Sequence, residues 1–123
     1  MNKIKKQNWK KKRQRLKYRI KQRNISGHPR LVIYRSNTNI YAQLIDDNKN
    51  VTILSASSID KELKESIRKA SNKIEKSTIV GNAITEKIKK AKIGKIIFDR
   101  NGYKYHGRIK ALSDAILSVD INN

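Results

Sequence analysis

Short apolar runs separated by turn residues dominate the chain beyond residue 30. The first run, Leu31–Tyr34, is β-branched and aromatic, and Ile40–Ile45 and Val51–Ala56 follow it. The polar segments Ser36–Asn39 and Asp47–Asn50 between them contain residues that favour turns. The pattern therefore predicts three strands in a meander. Because polar and apolar residues alternate only weakly, we expect a sheet that is covered on both faces.

A helical period replaces the strand pattern between Ile74 and Ala91. Val80, Ile84 and Ile88 recur every fourth residue, and charged residues occupy the outer face, namely Glu86, Lys87, Lys89 and Lys90. This spacing places the apolar side chains on one face of a helix. Gly94 follows closely and is expected to end the helix, since glycine is common just beyond helix C-termini.

The last third of the chain predicts one more strand and one more helix. Lys95–Asp99 is typical of a buried strand, and four apolar residues then recur at spacings of three, four and three: Ile109, Leu112, Ile116 and Val119. Residues 60–72 predict a short helix or a loop. The expected fold class is therefore α/β, with element order β-β-β-α-β-α, a mixed sheet and helices packed on it.

Cations dominate the pattern of the N-terminal segment. The first 45 residues hold 14 of the 30 Lys and Arg residues and no acid, so +14 of the net +20 precedes Asp46. Every odd-numbered position from Lys11 to Arg23 is basic. The segment Gly27-His28-Pro29 then favours a break in structure. We therefore expect a basic arm, residues 1–28, and a globular domain, residues 29–123.

The arm has too few large apolar residues to fold by burying itself, so we expect disorder until a polyanion binds. A helix surrounded by phosphates would relieve the repulsion between its like charges. A solvated tail, a nuclear localisation signal and a mitochondrial transit peptide remain alternatives. The candidate phosphate-binding residues of the arm are Lys10, Lys11, Lys12, Arg13, Arg15, Lys17, Arg19, Lys21 and Arg23.

Composition also bears on which other classes of protein and site are possible. The chain has no Cys, which excludes disulfides and thiolate metal sites and favours a reducing compartment. Its apolar runs are far shorter than the ~20 residues that span a bilayer, so we expect a soluble protein without a membrane partner. The N-terminus has no apolar segment typical of a secretory signal. No cofactor and no small-molecule substrate are expected.

Two loops combine donors with aromatic rings, namely the tip of the first hairpin and the segment after Phe98. Arg and Lys can contact phosphate, rings can stack on unpaired bases, and Ser, Asn and Tyr can contact ribose hydroxyls. This set suits RNA better than duplex DNA. The candidate residues are Arg35, Ser36, Asn37, Asn39, Arg100, Tyr103, Lys104, Tyr105, His106, Arg108 and Lys110.

Catalysis finds little support in the sequence. His28 and His106 lack the spacing of metal ligands. A nuclease would need converging carboxylates, and the available ones suit local roles in turns and at strand ends better: Asp46, Asp47, Asp99 and Asp114. A DNA-compacting protein and a cationic membrane-active protein are the other rivals, although the apolar residues of the arm are too sparse for a strong membrane-binding face.

Two long segments resemble the signature stretches of the large-subunit ribosomal protein 18 family, bacterial or organellar type. They are Arg30–Asp47 and Phe98–Ala115, and the resemblance extends over essentially the whole chain. It departs from the family pattern at Asn39, where His is usual, and at Asn101, where Gly is usual. The chain also ends at Asn123 without the common aromatic residue.

The resemblance implies a structural protein without enzymatic activity that binds 5S ribosomal RNA in the central protuberance. Its expected partners are 5S rRNA, the large-subunit rRNA and the neighbouring 5S-binding ribosomal proteins, in a bacterial cytoplasm or an organelle such as a plastid. The implied fold includes a ribonuclease H-like motif. By position, the RNA-facing residues would be the arm, Arg30, the tip Arg35–Asn39 and the loop Arg100–Arg108.

Overall fold

The fold places a long N-terminal helix beside a sheet that carries two further helices. The computed structural model describes residues 3–23, 27–116 and 120–121, with side chains for residues 8–19 and 27–116. The elements are α1 (Lys3–Arg23), β1 (Arg30–Arg35), β2 (Ile40–Asp46), β3 (Val51–Ser57), a 3₁₀ helix (Lys61–Leu63), α2 (Lys64–Lys69), α3 (Lys73–Lys90), β4 (Lys95–Asp99), α4 (Gly107–Ala115) and β5 (Asp120–Ile121). The four predicted strands are confirmed to within one residue at each end.

The sheet has the strand order β3-β2-β1-β4-β5. The meander β1-β2-β3 is antiparallel, whereas β4 runs parallel to β1 and β5 runs parallel to β4. A parallel neighbour requires a crossover, which α3 supplies between the edge strand β3 and the more central β4. The predicted α/β class with a mixed sheet is confirmed. The ribonuclease H-like motif stays a prediction.

One face of the sheet forms the hydrophobic core with α3 and α4. Leu31, Ile33 and Leu44 contribute from the strands and are fully buried. The predicted apolar stripe of α3 (Val80, Ile84, Ile88) is buried against them, as are Ile109 and Leu112 of α4 and Ile116 just beyond its end. The helical period and the short apolar runs of the sequence therefore identified the two layers of this core.

The second face of the sheet is covered only in part. Val32 is fully buried there, and a groove of about 430 Å³ separates α1 from Arg30, Tyr34 and the end of β4. Towards the edge strand β3, however, Thr52, which pairs with Ile45, is exposed on this face, and its neighbours Val51 and Ile53 are 48% and 40% exposed. The expectation of cover on both faces is thus right near β1 and wrong at β3, since α1 does not cover that edge.

The C-terminus of α3 differs from its prediction. The helix ends at Lys90, and the residue in the left-handed conformation beyond its end is Lys92, with φ 58°, and not Gly94, which was expected to end the helix. The amide of Ile93 donates to the carbonyl of Ile88 at 3.2 Å, and that of Lys92 to Lys89 at 3.1 Å, which together form a Schellman motif. Glycine is preferred at such a position without being required, which explains the error.

The packing of α4 on α3 depends on a glycine. A Cβ atom on Gly81 would lie 2.7 Å from the Ala115 Cβ and from the Leu112 carbonyl oxygen, so only glycine allows this approach. The helix α4 ends at Ala115 with Ile116 as its C-terminal cap. Val119, the fourth apolar residue predicted for this helix, lies outside the described residues.

Candidate nucleic-acid interface

The tip of the β1–β2 hairpin is a polar turn closed by hydrogen bonds. The amide of Ser36 donates to the carbonyl of Asn39 at 2.9 Å, and the amide of Asn39 donates to the Ser36 hydroxyl at 3.1 Å. The Asn39 side-chain oxygen accepts a bond from the Ser58 hydroxyl at 2.9 Å. Asn39 therefore stabilises the tip from inside, whereas Asn37 is exposed and accepts a bond from Lys73.

The loop after β4 begins with a tight turn centred on Asn101 and Gly102. Both have positive φ, 57° and 82°, and the amide of Tyr103 donates to the carbonyl of Arg100 at 3.1 Å. These features define a type I′ turn, for which the Asn-Gly pair is strongly preferred. The amide of Asn101 also donates to the carboxylate of Asp99 at 2.8 Å, so this turn is anchored to the end of β4.

Four segments distant in sequence meet around one open groove of about 990 Å³, hereafter the basic groove. Its lining combines the arm, the hairpin end, the start of α3 and the loop after β4: Trp9, Lys12, Arg35, Lys73, Ile74, Gly102, Tyr103, Lys104, Tyr105, His106, Gly107, Arg108 and Ile109. Five of these described lining residues are Lys or Arg, and none is acidic. The groove is therefore both cationic and aromatic.

Two arginines of the basic groove are fixed by the hairpin and the loop. The Arg35 guanidinium lies 4.9 Å from the Tyr103 ring centroid, and Arg108 donates to the Ser36 carbonyl at 2.8 Å. Partial burial and the charge of Arg35 lower the pKa of Arg108. The two like charges thus act on each other, and an anion between them would relieve their repulsion.

A small polar cluster occupies the exposed face of α4. The Tyr105 hydroxyl and the Lys110 ammonium both donate to the carboxylate of Asp114, Lys110 at 2.9 Å. These bonds lower the pKa of Asp114, and they raise the pKa values of Tyr105 and Lys110. Tyr105 and Lys110, both predicted RNA contacts, therefore already have an intramolecular partner. Arg100, Lys104 and His106 are exposed beside them.

The Tyr105 bond makes a testable contribution to the pKa of Asp114. We expect Tyr105→Phe to raise that pKa towards its ordinary value of 3.8, because the largest stabilisation of the carboxylate is lost. A carboxyl group with a lowered pKa stabilises the fold at pH values above its ordinary pKa. This stabilisation disappears as the pH falls through the lowered pKa. Carbon-detected NMR titration of the Asp114 carboxyl measures the shift. Tyr18→Phe in the arm should leave it unchanged, and an unaltered pKa in Tyr105→Phe contradicts the assignment.

The arm is helical, and one side of it faces the domain. Trp9, Arg13 and Leu16 are half-buried at spacings of four and three residues, which places them on one stripe of α1. The Arg13 Nε atom donates to the Asn101 side-chain oxygen at 2.8 Å, and the Trp9 and Tyr103 ring centroids are 5.4 Å apart. The expectation of a disordered arm is therefore wrong for the chain alone, because these contacts give the helix a surface to pack on.

The remaining described cations of the arm point away from that stripe. Exposed side chains are Lys10, Lys11, Lys12, Arg15, Lys17 and Arg19. Residues 1–2 and 24–26 and the side chains of Lys21 and Arg23 lie outside the described part of the chain. Because one side of α1 is occupied by the domain, phosphates can reach the helix from its other sides only. Phosphates on several sides of the helix, as expected from the sequence, thus remain compatible with the structure, except on the side that faces the domain.

Arg30 is a structural residue of the sheet. It is only 4% exposed, and its guanidinium contacts Asp99 at 2.6 Å and Asp47 at 2.9 Å. Burial by itself would lower the pKa of Arg30, but the hydrogen bonds and charges of the two carboxylates outweigh it and raise the pKa. The guanidinium is therefore paired within the chain, and the contact of Arg30 with RNA that the resemblance implies stays a prediction.

The carboxylates considered for metal-assisted cleavage have separate intramolecular roles. Asp47 and Asp99 pair with Arg30, Asp114 pairs with Lys110, and Asp46 accepts bonds from the amides of its own turn. Among the described residues, no group of three or more His, Cys, Asp or Glu side chains could hold a metal ion. None of the described helices is long and apolar enough to cross a membrane.

Sequence reasoning missed three residues of this region. The sequence did contain a signal for Trp9, because Trp9, Arg13 and Leu16 have the spacing of one helical stripe. The many cations between them made this stripe hard to recognise. Asn101 was placed in the RNA-facing loop and noted as a departure from the family pattern, but its contact with the arm was not foreseen. Lys73 begins α3 and reaches the hairpin tip by tertiary packing alone, and no local pattern indicated that position.

The fold and its surface define a small basic α/β protein whose long cationic helix and loop groove suit a polyanionic partner. The chain belongs to the ribosomal L18 family, described for archaea, bacteria, mitochondria and chloroplast, whose model matches residues 3–122. It is therefore a structural, rRNA-binding component of the large ribosomal subunit and not an enzyme.

Bacterial relatives agree with this assignment over most of their length. The large ribosomal subunit protein uL18 of Fusobacterium nucleatum is 57% identical over 94 residues, covering 74% of this chain and 76% of the relative. The uL18 protein of Prochlorococcus marinus is 51% identical, covering 76% and 77%. That of Bartonella henselae is 48% identical over 109 residues and covers 88% of each chain.

Proposed function

We propose that this protein binds 5S rRNA and helps attach it to the large rRNA within the central protuberance, beside the other 5S-binding proteins. The basic groove is the observation that carries the proposal. It brings five cations and the rings of Trp9, Tyr103, Tyr105 and His106 together, without an acidic residue among its described lining. Cations that hold phosphates and rings that stack on unpaired bases are the two means by which proteins select structured, partly single-stranded RNA.

The arm and the domain have different tasks in this proposal. The exposed cations of α1 contribute affinity by releasing counterions from the phosphate backbone, which does not depend on base sequence. The hairpin tip and the loop after β4 contribute selectivity, because their backbones are fixed by the hydrogen bonds described above. The division into an arm of residues 1–28 and a domain of residues 29–123 belongs to this proposal.

Removing charges from the basic groove tests whether the hairpin tip and the loop after β4 contribute to RNA binding. We expect the double variant Arg35→Gln, Arg108→Gln to bind 5S rRNA at least ~10-fold more weakly, because hydrogen bonds to charged groups contribute about 1.5–3 kcal/mol each. Filter binding or fluorescence anisotropy at fixed salt measures the loss. The matched control is Lys89→Gln, Lys90→Gln at the far end of α3, which removes the same charge from exposed positions. Equal losses in both variants would show that only net charge matters.

Footprinting tests the identity of the partner. Nuclease protection on 5S rRNA should be confined to one helical region and its adjoining loop. A competing DNA duplex of the same length should displace the RNA poorly, since duplex DNA offers no unstacked bases to the groove. Protection spread along the whole RNA, or displacement by DNA at equal concentration, favours a general DNA-compacting protein instead.

A further inference from the structure

We propose that Trp9, Arg13, Asn101, Gly102 and Tyr103 form a docking joint that fixes the arm helix on the domain before any RNA binds. In this joint, Arg13 and Asn101 are positioning residues for RNA binding, acting through the exposed cations of α1. The effect on RNA rests on the proposed function above. The existence of the joint does not, because it is a property of the free protein.

Arg13 makes the central contact of the docking joint. Its Nε atom donates to the Asn101 side-chain oxygen at 2.8 Å, and its guanidinium lies 4.4 Å from the Trp9 ring centroid. The same guanidinium is 5.9 Å from the ring centroid of Tyr34 on β1. A directional hydrogen bond combined with ring stacking is particular to Arg, since Lys offers a point charge without a planar fork. The contact therefore needs more than positive charge.

Asn101 presents a fixed acceptor to the arm. Its φ of 57° lies in the left-handed region, which Asn tolerates better than most residues other than Gly. Its backbone amide is bonded to Asp99, and its side chain is largely buried. The Asn101 Nδ2 atom is buried without a hydrogen-bond partner among the described residues. Burying an amide donor in this way is unfavourable, yet this orientation of the side chain directs Oδ1 towards Arg13.

Gly102 adapts the loop to the shape of the arm helix. A Cβ atom at this position would lie 3.1 Å from the Arg13 Cγ atom and 3.4 Å from the Trp9 Nε1 atom. The loop backbone therefore approaches α1 as closely as these side chains allow. On the neighbouring side, the tilted rings of Trp9 and Tyr103 continue the contact into the basic groove.

The docking joint determines which cations the arm presents. With the stripe of Trp9, Arg13 and Leu16 turned inward, Lys12 lines the basic groove and the other described cations stay exposed. The rotation of α1 about its axis is thereby set in the free protein. Orienting the helix costs conformational entropy. Because this entropy is lost during folding, it no longer opposes RNA binding, and such preorganisation raises affinity.

Two charge-preserving substitutions test the joint in the full-length chain. Arg13→Lys removes the Asn101 bond and the ring stacking, whereas Arg15→Lys makes the same replacement at an exposed position two residues away. Trp9 is the only tryptophan in the chain, so its fluorescence reports docking directly. Without RNA, we expect acrylamide quenching of Trp9 to rise towards that of free tryptophan in Arg13→Lys and to stay unchanged in Arg15→Lys.

RNA affinity provides the second measurement. We expect Arg13→Lys to weaken 5S rRNA binding by about 3- to 10-fold, corresponding to the ordering of one or two side chains. The salt dependence should keep its slope, since no charge is lost. Asn101→Gly should reproduce both effects, because Gly accepts the same backbone conformation but lacks the acceptor. Its matched control is Asn50→Gly, another Asn with positive φ at an exposed turn.

The outcomes separate the joint from the proposed function. Equal quenching of Trp9 in Arg13→Lys, Arg15→Lys and the unaltered chain overturns the joint, even if 5S rRNA still binds with a steep salt dependence. Quenching that rises only in Arg13→Lys and Asn101→Gly supports the joint, even if 5S rRNA does not bind and the proposed function fails.

Discussion

Replacing the six exposed arm cations with Gln is expected to weaken 5S rRNA binding by roughly 10³-fold at 0.1 M salt. The variant changes Lys10, Lys11, Lys12, Arg15, Lys17 and Arg19 and leaves the docking joint intact. Each phosphate contact contributes a slope of about −0.9 to the dependence of log affinity on log salt. Six lost contacts should therefore also flatten that slope by about five. Binding titrations at several salt concentrations measure both quantities.

The matched control carries the same charge change elsewhere. Six exposed cations outside the arm and the basic groove become Gln: Lys61, Lys64, Arg68, Lys69, Lys89 and Lys90. We expect this control to keep most of its affinity and most of its slope. If both variants lose affinity equally, the total charge of the protein explains binding and the arm has no particular role. A chain of residues 29–123 provides a second comparison, provided that its circular dichroism shows a folded domain.

Arg30→Met is expected to lower the free energy of unfolding by about 3–5 kcal/mol, because it leaves a buried carboxylate without its partner. Asp99 is 4% exposed and Asp47 is half-buried, so water replaces the guanidinium poorly. The affected position is the start of β1, which pairs with both β2 and β4. Urea denaturation followed by circular dichroism gives the difference.

Arg68→Met is the control for the stability prediction. Arg68 also pairs with a carboxylate, that of Glu65 at 3.0 Å, but both side chains are about two-thirds exposed or more. Pairs of this kind contribute about 0.2–1 kcal/mol. If Arg30→Met lowers the free energy of unfolding as little as Arg68→Met does, Arg30 does not stabilise the sheet. That result would favour the contact between Arg30 and RNA that the resemblance implies.

Local patterns predicted the elements, because periodicity depends only on which residues face the core. Val80, Ile84 and Ile88 defined α3, and Lys95–Asp99 defined β4, without any knowledge of their neighbours. The C-terminus of α3 was harder to predict, since Lys92 rather than Gly94 takes the left-handed conformation. Glycine is preferred just beyond a helix C-terminus because it lowers the free energy of the left-handed conformation. The capping hydrogen bonds can outweigh this preference and hold another residue there.

The candidate site was less predictable than the fold, because partners distant in sequence decide what each charge does. Nothing near Arg30 in the chain distinguishes it from Arg35, yet one is buried between two carboxylates and the other lines an open groove. Both residues are arginines, so an argument from residue type alone predicts phosphate binding for both. Likewise, the period-two pattern of the arm gave no indication that Arg13 would be turned towards Asn101.

The bond between Arg13 and Asn101 joins residues 88 positions apart in the chain. At the usual synthesis rate of 5–20 residues per second, Asn101 is made roughly 4 to 18 seconds after Arg13. Throughout that interval the cationic helix has no loop on which to dock, because the loop does not yet exist. A newly made arm is therefore open to any nearby nucleic acid first, and it acquires its fixed orientation only when the last strand and helix complete the domain.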